Sequence, residues 1–220
     1  MASASTEWVN SKAGFHGYCV WVRPKDDCDA QAETQGIMQQ FTRRFPPLLM
    51  PTWQPHICLA AGIDDEAAAL TLAQQVASEY RSFRVHLYGC EVDGELESER
   101  ATIYFPWQRL RAGWVAAKGD PVQGDKNAHG DEDSLVALCR RAREILGQAT
   151  HTVKFAPHLS LVYFDEDELN KEQRCTLQVE LQAQFKHGTW FEVDSIHVAH
   201  TEGTPDKYRL LASFACSGSK

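Results

Sequence analysis

Two short segments of this chain read alike, and together they restrict the fold more than any other feature. Pro55-His56-Ile57-Cys58-Leu59-Ala60 and Pro157-His158-Leu159-Ser160-Leu161-Val162 each run histidine, apolar, small hydrogen-bonding, apolar, with the histidines 102 residues apart. In a strand, successive side chains point to opposite faces. His56 therefore shares a face with Cys58, and Ile57 shares the other with Leu59; His158 with Ser160 and Leu159 with Leu161 repeat the arrangement. A core has no use for the polar face. Two such strands side by side place two imidazoles and two small donors around one cavity.

The surroundings of the two segments also correspond, although there is no exact internal repeat. The first strand, His56 to Ala60, ends at Gly62 and is followed by the acidic start Asp64-Asp65-Glu66 of a helix. Ala69, Leu72, Ala73, Val76, Ala77 and Tyr80 give that helix an apolar stripe for covering a sheet. The second strand, His158 to Tyr163, meets an acidic helix start at Asp165 to Glu168, and that helix is expected to run to about Phe185.

Elsewhere, Tyr18 to Val22 is a strand stopped by Arg23-Pro24, and Gln31 to Phe41 a helix; Pro46, Pro47, Pro51 and Pro55 then forbid regular structure. Phe83 to Val92 and Ala101 to Trp107 are expected as strands about the turn Asp93-Gly94. Lys118 to Asp133 has the composition of an exposed loop. The stripe Leu135, Leu138, Cys139, Ala142, Ile145, Leu146 predicts a helix capped by Asp133 or Ser134 and closed by Gly147. Trp190 to His200 and Tyr208 to Ala215 read as a strand pair across Gly203-Thr204-Pro205.

The 220 residues suffice for one compact domain, 1–220, built as two small lobes with a shared core. A net charge of −8 argues against an extended phosphate-tracking surface, so no long nucleic acid is expected as partner, while a small phosphate ligand remains compatible. No apolar run approaches the roughly 20 residues of a membrane span, and MASASTEWVN is not a secretory signal. The expectation is a soluble, cytoplasmic monomer. Cys19, Cys28, Cys58, Cys90, Cys139, Cys175 and Cys216 form no CxxC pairs, which argues against a zinc ribbon or a dense disulfide framework.

Imidazole titrates near neutral pH, so one histidine acting as base and one as acid is an economical way to break a P–O bond by water attack. The small polar residue beside each histidine is placed to donate to non-bridging phosphate oxygens. A chance pair of histidines satisfied at strand ends is the plainer account. Two correctly alternating copies, each followed by an acidic helix start, outweigh it.

With PHLSLVYFDEDEL, YCVWVRP near the start and IHVAHTEGT late in the chain, the sequence resembles the 2H phosphoesterase superfamily. Within it, the chain is most similar to the fungal and plant cyclic phosphodiesterases. The resemblance runs from about Tyr18 to Cys216 and implies an α+β fold of two pseudo-symmetric lobes, each an antiparallel sheet with outer helices, around a catalytic groove. It implies hydrolysis of 2′,3′-cyclic nucleotides to nucleoside 2′-phosphates, or of ADP-ribose 1″,2″-cyclic phosphate to ADP-ribose 1″-phosphate, as in the metabolism of tRNA-splicing by-products. No metal or other cofactor is implied.

The catalytic pair would be His56, protonating the leaving ribose oxygen, and His158, activating water, although sequence itself does not distinguish the two roles. Cys58 and Ser160 would hold the phosphate, and Tyr163 and Trp21 the base. Cys58 departs from the family pattern of threonine or serine, and a thiol is the weaker donor. Slower turnover and sensitivity to oxidation or alkylation are expected of it. A nucleotide-binding module without turnover, or an RNA end-processing enzyme or ligase, are the competing readings; the second needs a basic path that the acidic composition disfavours.

Other candidates read as structural. Tyr163 and Trp21 have the common alternative fate of core aromatics. His16, His86, His129, His151, His187, His197 and His200 lack the motif, and His197 and His200 fall on opposite strand faces, which argues against a shared metal. Thr201 and Thr204 suit a turn. Arg140, Arg141 and Arg143 suit an exposed helix face, and Asp165 to Glu168 a helix start rather than a cation site.

Overall fold

The computed structural model describes residues 17–45, 54–92, 110–120, 133–147, 157–165, 168–202 and 208–217. Eight strands form one antiparallel sheet: β1 (Tyr18–Val22), β2 (Ile57–Ile63), β3 (Phe83–Val92), β4 (Leu110–Gly119), β5 (His158–Asp165), β6 (Thr189–Val193), β7 (Ser195–His200) and β8 (Arg209–Ala215). Their order is β6-β3-β4-β5-β2-β1-β7-β8. The two histidine-bearing strands β2 and β5 meet in the middle, and each heads a half-sheet of four. The expected pair of lobes is present, fused into a continuous sheet.

Four helices are described: α1 (Asp29–Arg44), α2 (Glu66–Glu79), α3 (Ser134–Ile145) and α4 (Lys171–Gln184). Each exists because an apolar stripe needs covering. Ala30, Thr34, Ile37, Met38 and Phe41 are the buried side of α1, and Ala69, Leu72, Ala73, Val76 and Ala77 that of α2. Asp133 caps α3 by accepting from Leu135 N and Val136 N. Leu59, Leu72, Leu87, Leu138, Leu161 and Leu181, drawn from both half-sheets and three helices, belong to one core cluster on the helical face of the sheet. The opposite, open face carries the polar side of the motifs. None of the described helices is long and apolar enough to cross a membrane.

Four expectations are corrected. The partner of β3 is Leu110–Gly119, so Lys118 and Gly119 belong to a strand and not to the loop; Ala101–Trp107 lies outside the described residues. Within β4, Gly113 sits where a Cβ would press on the Val162 and Leu181 side chains. Helix α4 starts at Lys171, not at Asp165, because Asn170 and Gln173 form a reciprocal capping box. The strand at His56 begins at Ile57 and runs through Gly62 to Ile63, slipping register twice against β1.

The run Trp190–His200 is two strands, broken at Asp194, and they lie in different half-sheets. β6 is the outermost strand at one end, whereas β7 is next to last at the other. One residue bridges them, so the sheet curls until its two ends meet at Asp194. That residue is held by the Lys25 ammonium at 2.6 Å and by Cys216 N on its carbonyl at 2.7 Å.

Candidate functional site

The centre of the sheet is a seam of one registered pair, Ile57 with Leu159. Both side chains are fully buried on the helical face. Antiparallel register then sets His56 opposite Ser160 and Cys58 opposite His158, all four on the open face. Directly opposed residues have Cβ atoms about 5 Å apart and diagonal ones about 7–8 Å. The two imidazoles are such a diagonal pair.

Each half of the site has its own tryptophan. Trp21 on β1 is paired with Cys58, and Trp114 on β4 with Ser160. Trp21 stacks on the His56 ring, with centroids 3.8 Å apart and planes inclined by 19°. Trp114 meets His158 edge-on at 5.6 Å and 60°. Trp21 is only 6% exposed, and its contact with His56 makes it a positioning residue for that ring. Local sequence does not single out Trp114, because the strand pattern in this region points to Ala101–Trp107 instead.

His56 Nδ1 lies 2.9 Å from the Gln54 carbonyl, an acceptor, so Nδ1 carries the hydrogen. Gln54 is anchored in turn: Arg23 donates to its Oε1, and its Nε2 donates to Asp26 Oδ1 at 3.0 Å. Arg23 also pairs with Asp26 at 2.8 Å. Burial lowers His56 from the ordinary histidine range to about 4, and the nearby His158 and Arg23 add to the effect against the Gln54 contact. The ring is neutral at pH 7 in the free protein.

Cys58 shares a hydrogen bond with Cys19, and that bond together with burial pushes its thiol well above the ordinary range. Cys19 is backed by Thr201 Oγ1 at 3.3 Å, and Thr201 holds Gly17 O. The Cys58 thiol is therefore held protonated, and in that form it is a poor nucleophile towards alkylating agents.

Tyr163 stands five residues after His158, an odd offset that simple alternation would send to the opposite face. A β-bulge corrects this: Ser160 pairs with Trp114 and Val162 with Gly113, which leaves Leu161 as the extra residue. Leu161 and Val162 both enter the core, and Tyr163 returns to the open face against Trp114. Its hydroxyl is hydrogen-bonded to Ser160, and burial raises its pKa to about 12, so it stays neutral.

The remaining candidates take structural places. His197 lies on the open face behind Trp21, bonded to Ser213 Oγ at 2.8 Å, and burial holds it neutral with a pKa of about 4. His200 contacts the Tyr18 ring and Glu202. Arg141 makes a two-point contact with Glu79 that ties α3 to α2, and Arg140 reaches Glu144. His16, His129, His151 and Thr204 lie outside the described residues. Tyr208, packed beside Cys19 and Trp21, is a further aromatic that no local sequence pattern marks. Among the described residues, no three His, Cys, Asp or Glu side chains cluster as a metal site.

An antiparallel sheet in two halves, whose central strands carry matched histidine motifs on one face, is the architecture of the two-histidine phosphoesterases. The chain belongs to the 2′-5′ RNA ligase superfamily, whose profile matches residues 26–205. Among solved structures, it is similar to TT0787 of Thermus thermophilus, with 16% identity over 93% of this chain and 100% of that one and a TM-score of 0.57. E. coli LigT complexed with 3′-AMP is 14% identical over 92% of this chain and 99% of that one, with a TM-score of 0.49. No curated protein matches it.

Proposed function

We propose that this chain is a cyclic phosphodiesterase, hydrolysing 2′,3′-cyclic nucleotides to nucleoside 2′-phosphates, or ADP-ribose 1″,2″-cyclic phosphate to ADP-ribose 1″-phosphate, without a metal. The observation that carries the reading is the seam register, which sets His56 against Ser160 and His158 against Cys58 on one open face. A phosphate seated there has an imidazole on either side. His158 takes a proton from water as its oxygen bonds to phosphorus, and His56, which takes up a proton when the anionic phosphate binds beside it, gives that proton to the departing ribose oxygen as the P–O bond breaks. Ser160 and Cys58 donate to the non-bridging oxygens, where charge accumulates.

The test is incubation with a 2′,3′-cyclic mononucleotide and with ADP-ribose 1″,2″-cyclic phosphate, with and without chelator, followed by identification of the phosphate isomer. The expected result is chelator-resistant hydrolysis that falls by about 10²-fold or more in His56→Ala and in His158→Ala. Activity retained in either variant, or abolished by chelation, sinks the proposal. A second reading, a binding module without turnover, is favoured by the thiol at position 58. Tight nucleotide binding with no product would establish it instead.

A further inference from the structure

The open face does not end at the two histidines. In register, His158 pairs with Ala116 and Ala116 with Tyr88, and further along β3 His86 pairs with Lys118 on one side and Trp190 on the other. His86 stacks on Trp190 at 4.2 Å and 10°, and on Tyr88 at 5.5 Å and 24°. Arg84 lies over the Trp190 ring at 4.6 Å. Yet Trp190 is 46% exposed and Tyr88 43%, so this cluster leaves large aromatic surfaces in water.

The cluster is also held in shape. Gly188 adopts a φ of +65°, and a Cβ there would overlap His86 Nε2, so the glycine lets the backbone close against the ring. Desolvation lowers the His86 pKa, which disfavours the charged ring. Glu192 is in register with Arg84, and Lys118 with His86. Exposed rings with adjacent cations suit a nucleobase and its phosphate.

We propose that Tyr88, His86 and Trp190, with Arg84 and Lys118, form a second nucleobase subsite, continuous with the cyclic-phosphate site and filled by a base one phosphate-linked unit away. This rests on the catalytic reading above and names its substrate class. Three strand spacings separate β5 from β6, about 14 Å along the sheet, too far for the base on the very ribose whose phosphate lies between His56 and His158. A substrate that reaches both sites carries a base beyond at least one further phosphate. ADP-ribose 1″,2″-cyclic phosphate and a dinucleotide ending in a 2′,3′-cyclic phosphate both extend from the cyclic phosphate to a base beyond a second phosphate.

The test compares kcat/KM for a 2′,3′-cyclic mononucleotide, the cyclic-phosphate dinucleotide and ADP-ribose 1″,2″-cyclic phosphate in the native chain, Trp190→Ala and Trp190→Phe. Loss of one stacked base predicts that Trp190→Ala falls about tenfold further on at least one of the two extended substrates than on the mononucleotide, with Trp190→Phe largely restoring it. Which substrate responds identifies the source of the distal base. Equal effects on all three overturn the subsite. Equilibrium binding of uncleavable adenylyl-adenosine is the independent arm: weakening of several-fold in Trp190→Ala upholds the subsite even if no substrate turns over, and unchanged affinity overturns it even if all of them do.

Discussion

His56 carries its charge only on condition. In the free protein burial, His158 and Arg23 hold its pKa to about 4, whereas a cyclic phosphate diester beside Nε2 brings a negative charge that favours the cation. Binding therefore takes up a proton, and by linkage the affinity must rise as pH falls. The expected outcome is that His158→Ala protein binds 2′,3′-cyclic UMP several-fold more tightly at about pH 5 than at about pH 7.5, by no more than tenfold per unit for one proton. A flat profile would show that His56 does not meet the phosphate. Cys58 makes a simpler case. Its protonated thiol stands opposite His158, where a hydroxyl donates more strongly. Cys58→Thr should raise kcat by roughly fivefold, equivalent to about 1 kcal/mol; an unchanged or lower rate would place the Cys58 side chain away from the reacting phosphate.

The elements were legible in proportion to how local their signals are. The stripes of α2 and α3 and the Asp133 cap lie within one window of sequence each, and the structure reproduces them. Two kinds of information were not local. Trp114 and the true β4 depend on Gly113 accommodating side chains from β5 and α4, and Tyr163 reaches the open face only through the bulge at Leu161. The false helix start at Asp165 arises from reading acidity as a cap, when the reciprocal hydrogen bonds of Asn170 and Gln173 decide the matter. Asn170→Ala should cost about 1 kcal/mol, which for a chain of this size lowers Tm by about 2–4 °C. Hydrolysis at 25 °C should be unaffected, since α4 lies on the helical face; a thermal midpoint that does not move would mean the cap contributes nothing.

At the scale of the whole molecule, the two half-sheets share one registered backbone pair, Ile57 with Leu159, although the proposed phosphate position needs both. That register is short beside the seven pairs between β4 and β5. Side-chain packing also spans the seam: α3 touches both β2 and β4, on either side of β5, and the core cluster runs unbroken through both halves. Leu138 is fully buried on α3 at that junction. Leu138→Ala should cost about 3 kcal/mol, and the loss should be felt equally by both halves. Hydrogen exchange resolved by mass spectrometry gives the decisive reading. Amides of β3 in one half and of β7 in the other should open with the same free energy in the native chain and lose the same amount in the variant. If β7 loses protection while β3 keeps it, the seam divides two units that unfold separately, and the spacing of His56 and His158 is fixed by something other than the shared core.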